Sequence, residues 1–151
     1  MTEYKALLPE ITLKYKTGSE KKVKINTSRD AYNLLKCFYD MDLLELTETF
    51  LVVFLNRSNN TLGWMRLSTG GIAGTVVDIK LIFATALKCA ASGIILSHNH
   101  PSGNMLPSHE DERTTQKIKQ AGLLFDISLL DHIIMGVEDG QFYSMADEGK
   151  V

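Results

Sequence analysis

The stretch Gly93-Ile94-Ile95-Leu96-Ser97-His98-Asn99-His100-Pro101 constrains the fold of this chain more than any other. Its apolar opening is short, rich in β-branched residues and without helical period, so it reads as a buried strand. Positions i and i+2 of a strand share a face, which lets His98 and His100 reach one point in space. Pro101 and Gly103 break the strand, and Pro107-Ser108 opens a helix expected to run to about Ala121. Asp111 falls in the first turn of that helix, facing back toward the histidines.

Two imidazoles and a carboxylate, with no thiolate among them, suit a tetrahedral Zn²⁺ whose fourth position holds water. A structural zinc would close all four positions. Bound zinc lowers the water pKa from about 15.7 to about 7, and a general base must still manage the proton. Glu48 is the candidate base, because it opens the apolar strand Thr49-Phe50-Leu51-Val52-Val53-Phe54-Leu55 and could overhang the metal site from a neighbouring strand. Ser108-x-x-Asp111 has a second reading as a helix cap, with the hydroxyl accepting from a first-turn N–H. The two readings are compatible, since a capped turn is a rigid place from which to present Asp111. His109 is expected to face solvent, and His132 to be a satisfied core histidine in preference to one that supports a metal ligand.

The rest of the chain alternates between strands and helices. Ile11, Leu13 and Tyr15 suggest a strand, Thr17-Gly18-Ser19 a turn, and Val23-Lys24-Ile25 a return strand. Thr27 or Ser28 caps a helix to about Tyr39, with Ala31, Leu34, Leu35 and Phe38 as its apolar stripe. Glu48 to Asn56 is the first core strand, Ser58-Asn59-Asn60 turns it, and Leu62 to Leu67 returns antiparallel. Gly70, Gly71 and Gly74 mark a loop. Asp78 caps a helix to about Ala91, whose alanines at 84, 86, 90 and 91 would pack on the sheet. Ile127 to Met135 and Gln141-Phe142-Tyr143 supply further strands. The expected architecture is α/β, a mixed sheet flanked by helices, in one domain over residues 1–151 with 1–44 as an N-terminal elaboration.

With 151 residues and 44% hydrophobic content, the chain can bury a core without staples. Its formal net charge of -2 gives no broad reason to bind polyanions. The short basic run Lys21-Lys22-Val23-Lys24 reads as a solvated face. Cys37 and Cys89 have no metal or redox spacing and read as small buried hydrophobes in a reducing compartment. With no signal-like or membrane-spanning stretch, a cytoplasmic address and no membrane partner are expected.

The spacing of His98, His100, Ser108 and Asp111 resembles the JAMM, or MPN-positive, metalloproteases: an upstream Glu, then His-x-His, seven residues, Ser, two residues, Asp. Within that superfamily the chain is similar to RadC-like proteins. The likeness rests on His-Asn-His-Pro-Ser-Gly at 98–103, Pro107-Ser108-x-x-Asp111 and Leu130-Asp131-His132-Ile133-Ile134. It includes Leu55-Asn56-Arg57 and Asp147-Glu148-Gly149, and runs from about Ile11 to Val151. The resemblance implies a cytidine-deaminase-like JAB/MPN fold and zinc held by His98, His100 and Asp111. It also implies Glu48 as general acid/base and Ser108 as donor to the oxyanion. Glu45 is the competitor for the base; Glu48-Thr49-Phe50 matches the family's Glu-x-Phe.

The expected function is therefore a zinc metallohydrolase, a peptidase or isopeptidase acting on a peptide or protein. One alternative is a repair or recombination role with DNA or a repair partner. RadC-like chains often carry an N-terminal helix-hairpin-helix region of the kind that contacts DNA, and these 151 residues leave no room for one. Another alternative is a non-catalytic interaction module. A zinc nucleobase deaminase is set aside because its Pro-Cys-x-x-Cys is missing. Residues 70–75 and 104–106 are the expected rims of the substrate cleft.

Overall fold

Strand β3 (Gly93–Asn99) lies at the centre of a five-stranded mixed sheet in the structure, a computed structural model that describes residues 7–70 and 76–151. It pairs antiparallel with β1 (Thr49–Leu55) and parallel with β4 (Ser128–Met135). β2 (Thr61–Thr69) and the short β5 (Phe142–Ser144) flank β1 and β4, both antiparallel, giving the order β2-β1-β3-β4-β5. Every residue of β3 is buried, which is why its sequence is a continuous apolar run instead of an alternation. The helices are α1 (Ser28–Lys36), α2 (Ile79–Lys88) and α3 (His109–Leu123), with a 3₁₀ turn at Met41–Leu43. α3 is the crossover that allows β3 and β4 to run parallel. This is the α/β mixed-sheet architecture expected from the sequence.

Successive β1 residues serve opposite faces of the sheet. Phe50, Val52 and Phe54 pack with Ile82, Phe83 and Ala86 of α2 and Ile118 of α3. Leu51, Val53 and Leu55 pack with Ala31, Tyr32 and Leu35 of α1, and with Tyr39 and Leu44 beyond it. Residues 25–44 thus supply one whole layer of the domain. Thr27 caps α1 in a reciprocal box with Asp30, so that helix starts where the sequence places it and stops earlier, at Lys36.

Three expectations are corrected. The hairpin over residues 11–25 does not form: Ile11 and Leu13 are 89% and 77% exposed, and among the described residues the only isolated bridge joins Lys24 to Asn60. Val23 and Ile25 instead hydrogen-bond the β1–β2 connection at Thr61 and Asn59, so the return strand's partner is already taken. Cys37 is exposed, because it caps the end of α1, whereas Cys89 is buried. On α2 the packing face is Ile82, Phe83, Ala86 and Cys89; Ala84 and Ala90 are exposed. No described helix is long and apolar enough to cross a membrane.

The end of α2 yields a stability prediction. The Ala90 N–H donates to Leu87 O and the Ala91 N–H to Ala86 O, a Schellman closure that puts Ala90 in the left-handed region at φ 52°. An L side chain is disfavoured there by about 1–2 kcal/mol, and glycine returns part of that through its freer unfolded chain. Ala90→Gly should therefore raise stability by about 0.5–1 kcal/mol in urea unfolding. A destabilised variant would contradict the cap geometry.

Candidate metal centre

The sheet register assembles the cluster. His98 lies near the end of β3 opposite Phe50 of β1, and their rings lie nearly parallel with centroids 6.0 Å apart. Continuing that antiparallel register by two residues sets Glu48 across from His100. On the other side, α3 begins with Ser108 as its cap. The Ser108 hydroxyl accepts from the Asp111 N–H at 3.1 Å, and the Ser108 N–H donates to Asp111 Oδ2 at 2.7 Å. The capping reading of this motif is thus realised, and it holds the Asp111 carboxylate rigidly over the end of β3.

His98 Nε2 lies 2.8 Å from His100 Nε2 and 3.2 Å from Asp111 Oδ1, while His100 Nε2 lies 3.1 Å from Asp111 Oδ2. One donor atom from each of the three residues falls within 4.8 Å of the others. The outer nitrogen of His100 is 2.7 Å from the Asn104 carbonyl, which can only accept, so Nδ1 carries the hydrogen and Nε2 offers a lone pair. His98 is likewise engaged on its outer side, by His132 at 2.8 Å. A carboxylate and two inward-facing imidazole nitrogens make an electron-rich pocket that a cation completes, and nitrogen and oxygen donors without sulfur suit zinc.

Burial raises the Asp111 carboxyl pKa, but its contacts with the His100 and His98 rings and the backbone hydrogen bond from Ser108 prevail and hold it well below the usual carboxylate range. The same Asp111 contact raises the His100 pKa against the opposing effect of burial. Glu48 behaves oppositely. It is half-buried, and burial pushes its pKa up; the histidines pull it down and the Asp111 charge adds to the rise. Glu48, Asp111, His132, Phe50, Val76 and Val77 line one cleft of about 330 Å³. Glu45 is exposed on the turn before it. Ser108 and His109 are exposed, with the Ser108 hydroxyl proton left free by the capping bond. Of the expected rims, residues 104–106 adjoin the site through Asn104, and Leu106 is exposed. Residues 71–75 lie outside the described residues.

Asn99 escapes the sequence reading, and His132 does more than was expected of it. His132 is fully buried and hydrogen-bonded, as a satisfied core histidine should be, and its partner is His98. Its signal lay in register: Leu96 pairs with His132 on parallel β4, which sets it beside His98 on the same face. Asn99, the middle residue of His-x-His, grips the backbone on both sides of Glu48. Its Oδ1 accepts from the Thr49 N–H at 2.8 Å, and its Nδ2 donates to Thr47 O at 2.9 Å and Leu44 O at 2.8 Å. Only an amide offers an acceptor and two donors in one planar group.

A mixed sheet whose central strand runs out into His-x-His, with an aspartate returned by the next helix, defines a JAB/MPN-type domain. The RadC-like JAB domain family matches residues 25–150, and the chain belongs to that family. A UPF0758 protein of Flavobacterium johnsoniae is 45% identical over 127 residues, 83% of this chain and 53% of the relative. One from Porphyromonas gingivalis is 42% identical over 125 residues, covering 83% and 53%. One from Aquifex aeolicus is 33% identical over 147 residues, covering 97% and 60%. The chain thus spans about half the length of the curated relatives it matches, 53% for the first two.

The Asn99 grip predicts a sharp cost for an isosteric change. Asn99→Asp turns two donated bonds into oxygen–oxygen contacts with Thr47 and Leu44. Stability should fall by about 2–4 kcal/mol in urea unfolding, with faster amide exchange at Thr49. An unchanged midpoint and unchanged exchange would contradict the clamp.

Proposed function

We propose that this domain is a zinc-dependent hydrolase of the JAMM type that cleaves a peptide or isopeptide bond in a protein or peptide substrate. The observation that carries the reading is the convergence of His98 Nε2, His100 Nε2 and the Asp111 carboxylate beside a half-buried Glu48. His98, His100 and Asp111 would hold the zinc. When bound, the ion supplies a Lewis acid that polarises a carbonyl and brings the pKa of water down to about 7. Glu48 takes a proton from the attacking water and passes it to the leaving nitrogen as the C–N bond breaks, so one water is consumed and a carboxylate and an amine result. Its raised pKa suits a group that must both accept and release that proton. The Ser108 hydroxyl, accepting from Asp111 N–H, keeps its own proton for the oxyanion.

Two free thiols support a reducing, cytoplasmic setting. A DNA-directed or non-catalytic role of the whole protein is a separate proposal, because the chain spans 53% of relatives such as that of F. johnsoniae.

Elemental analysis of untagged protein should give near one zinc per chain, markedly reduced in Asp111→Asn. No bound metal, even after zinc is offered, would overturn the reading. Glu48→Gln should keep the zinc and lose about 10²–10⁴-fold in cleavage of a quenched-fluorescent library of peptides and Lys-linked isopeptides. His98→Ala should lose both metal and cleavage. A zinc-loaded Glu48→Gln with full activity would remove Glu48 as base and point to Glu45.

The pH profile gives a further check. Because Glu48 has a raised pKa, it stays protonated to a higher pH than an ordinary Glu, whose value is 4.5. In the metal-free chain its carboxyl should therefore titrate above 4.5 when followed by side-chain ¹³C NMR. Titration at or below that value would contradict the buried-base account.

A further inference from the structure

Behind the metal cluster the buried polar atoms form one continuous chain. His98 Nδ1 lies 2.8 Å from His132 Nε2, and His132 Nδ1 lies 2.7 Å from Thr115 Oγ1. Thr115 Oγ1 in turn lies 2.6 Å from the main-chain oxygen of Asp111. His98, His132 and Thr115 all have 0% exposure, so no solvent can substitute for any link. The chain leaves one ligand residue and returns to another through the interior.

The direction of every hydrogen in it follows from its fixed end. A carbonyl oxygen only accepts, and two oxygens 2.6 Å apart repel unless a hydrogen lies between them, so the Thr115 hydroxyl donates to Asp111 O. The Met145 sulfur, 3.7 Å away, is the weaker acceptor. A hydroxyl has one hydrogen, so toward His132 it must accept, and His132 Nδ1 carries an N–H. His132 has no carboxylate partner, because neighbouring Asp131 turns away to Ser144 and the Ala146 N–H. Fully buried and unpaired with an acid, the His132 ring is neutral and has only that one N–H. Its Nε2 is then an acceptor, and His98 Nδ1 must donate to it. This leaves the His98 Nε2 lone pair facing His100 and Asp111.

We propose that His132 and Thr115 are positioning residues that hold His98 in the tautomer able to ligate a metal, with Nε2 unprotonated. The proposal rests on the metal-centre reading above and extends it to two residues outside the ligand set. A ligating histidine commonly gives its outer N–H to a carboxylate, a backbone carbonyl or water. Here the acceptor is a neutral imidazole, which orients the ring without burying a further negative charge next to Asp111. Thr115 stands one helical turn after Asp111, so α3 presents the ligand carboxylate and anchors the chain behind it with the same turn.

The test compares Thr115→Val, which keeps the shape and removes the hydroxyl, with Thr115→Ser, which keeps the hydroxyl. Zinc affinity is read by competition with a chromophoric chelator, starting from metal-free protein of these 151 residues whose folding is checked by thermal unfolding. Thr115→Val should bind zinc about 10–100-fold more weakly, and Thr115→Ser should stay near wild type. Independently of any variant, long-range ¹H–¹⁵N spectra of the wild-type protein should show His132 as the Nδ1–H tautomer. An Nε2–H tautomer at His132 would overturn the proposal. Tight wild-type binding with an unchanged Thr115→Val affinity would overturn it while leaving the metal centre standing. Wild-type protein that takes no zinc would overturn the metal centre and the proposal together.

Discussion

Burying β3 on both faces obliges each polar side chain near its end to find a partner inside the protein, since an unpaired buried donor or acceptor costs about 1–3 kcal/mol. Ser97 shares a 2.8 Å hydrogen bond with the Tyr39 hydroxyl. His98 turns to the opposite face and meets His132. Asn99 returns to the first face and clamps the chain around Glu48. The period of two along one strand thus sends consecutive residues to different tasks. The site inherits its rigidity from this requirement: the groups that converge on the cluster are held by bonds that the core cannot afford to leave unmade.

Electrostatics then divides the carboxylates. Asp111 faces both histidines and accepts from the Ser108 N–H at the start of α3, where the helix dipole also favours an anion. It is therefore a fixed negative charge. Glu48 reaches the same cleft from a backbone segment held at both ends, and burial makes it reluctant to ionise. One acid held as an anion beside another held near its proton is the arrangement that acid–base chemistry at a metal requires. The buried Phe50 ring lines that cleft beside Glu48 and Asp111.

Much of this was legible in the chain. The apolar run before His98 demanded a buried strand, and the spacing to Ser108 and Asp111 demanded a capped helix returning to its end. Both are local patterns that a single segment carries. The role of Asn99 and the partner of the core histidine His132 were not legible, because register between β3, β4 and β1 decides what they touch, and periodicity within one strand does not contain register. The alternation Ile11, Leu13, Tyr15 pointed to a strand for a related reason: alternation marks a chain able to pair, and pairing still needs a free edge in reach. Residues 23–25 found theirs at Asn59 and Thr61. The helix α1 was placed by its cap at Thr27, whereas its end and the exposure of Cys37 depended on tertiary packing.

The proposed metal centre has His98 at the end of β3, His100 just beyond it and Asp111 on α3 share one ion. Crystals grown with zinc, measured on both sides of the zinc absorption edge, test it most directly. The account predicts a single anomalous peak bonded by His98 Nε2, His100 Nε2 and the Asp111 carboxylate, with one position left open toward the Glu48 cleft. A peak ligated elsewhere, or a fourth protein ligand closing the site, would contradict it.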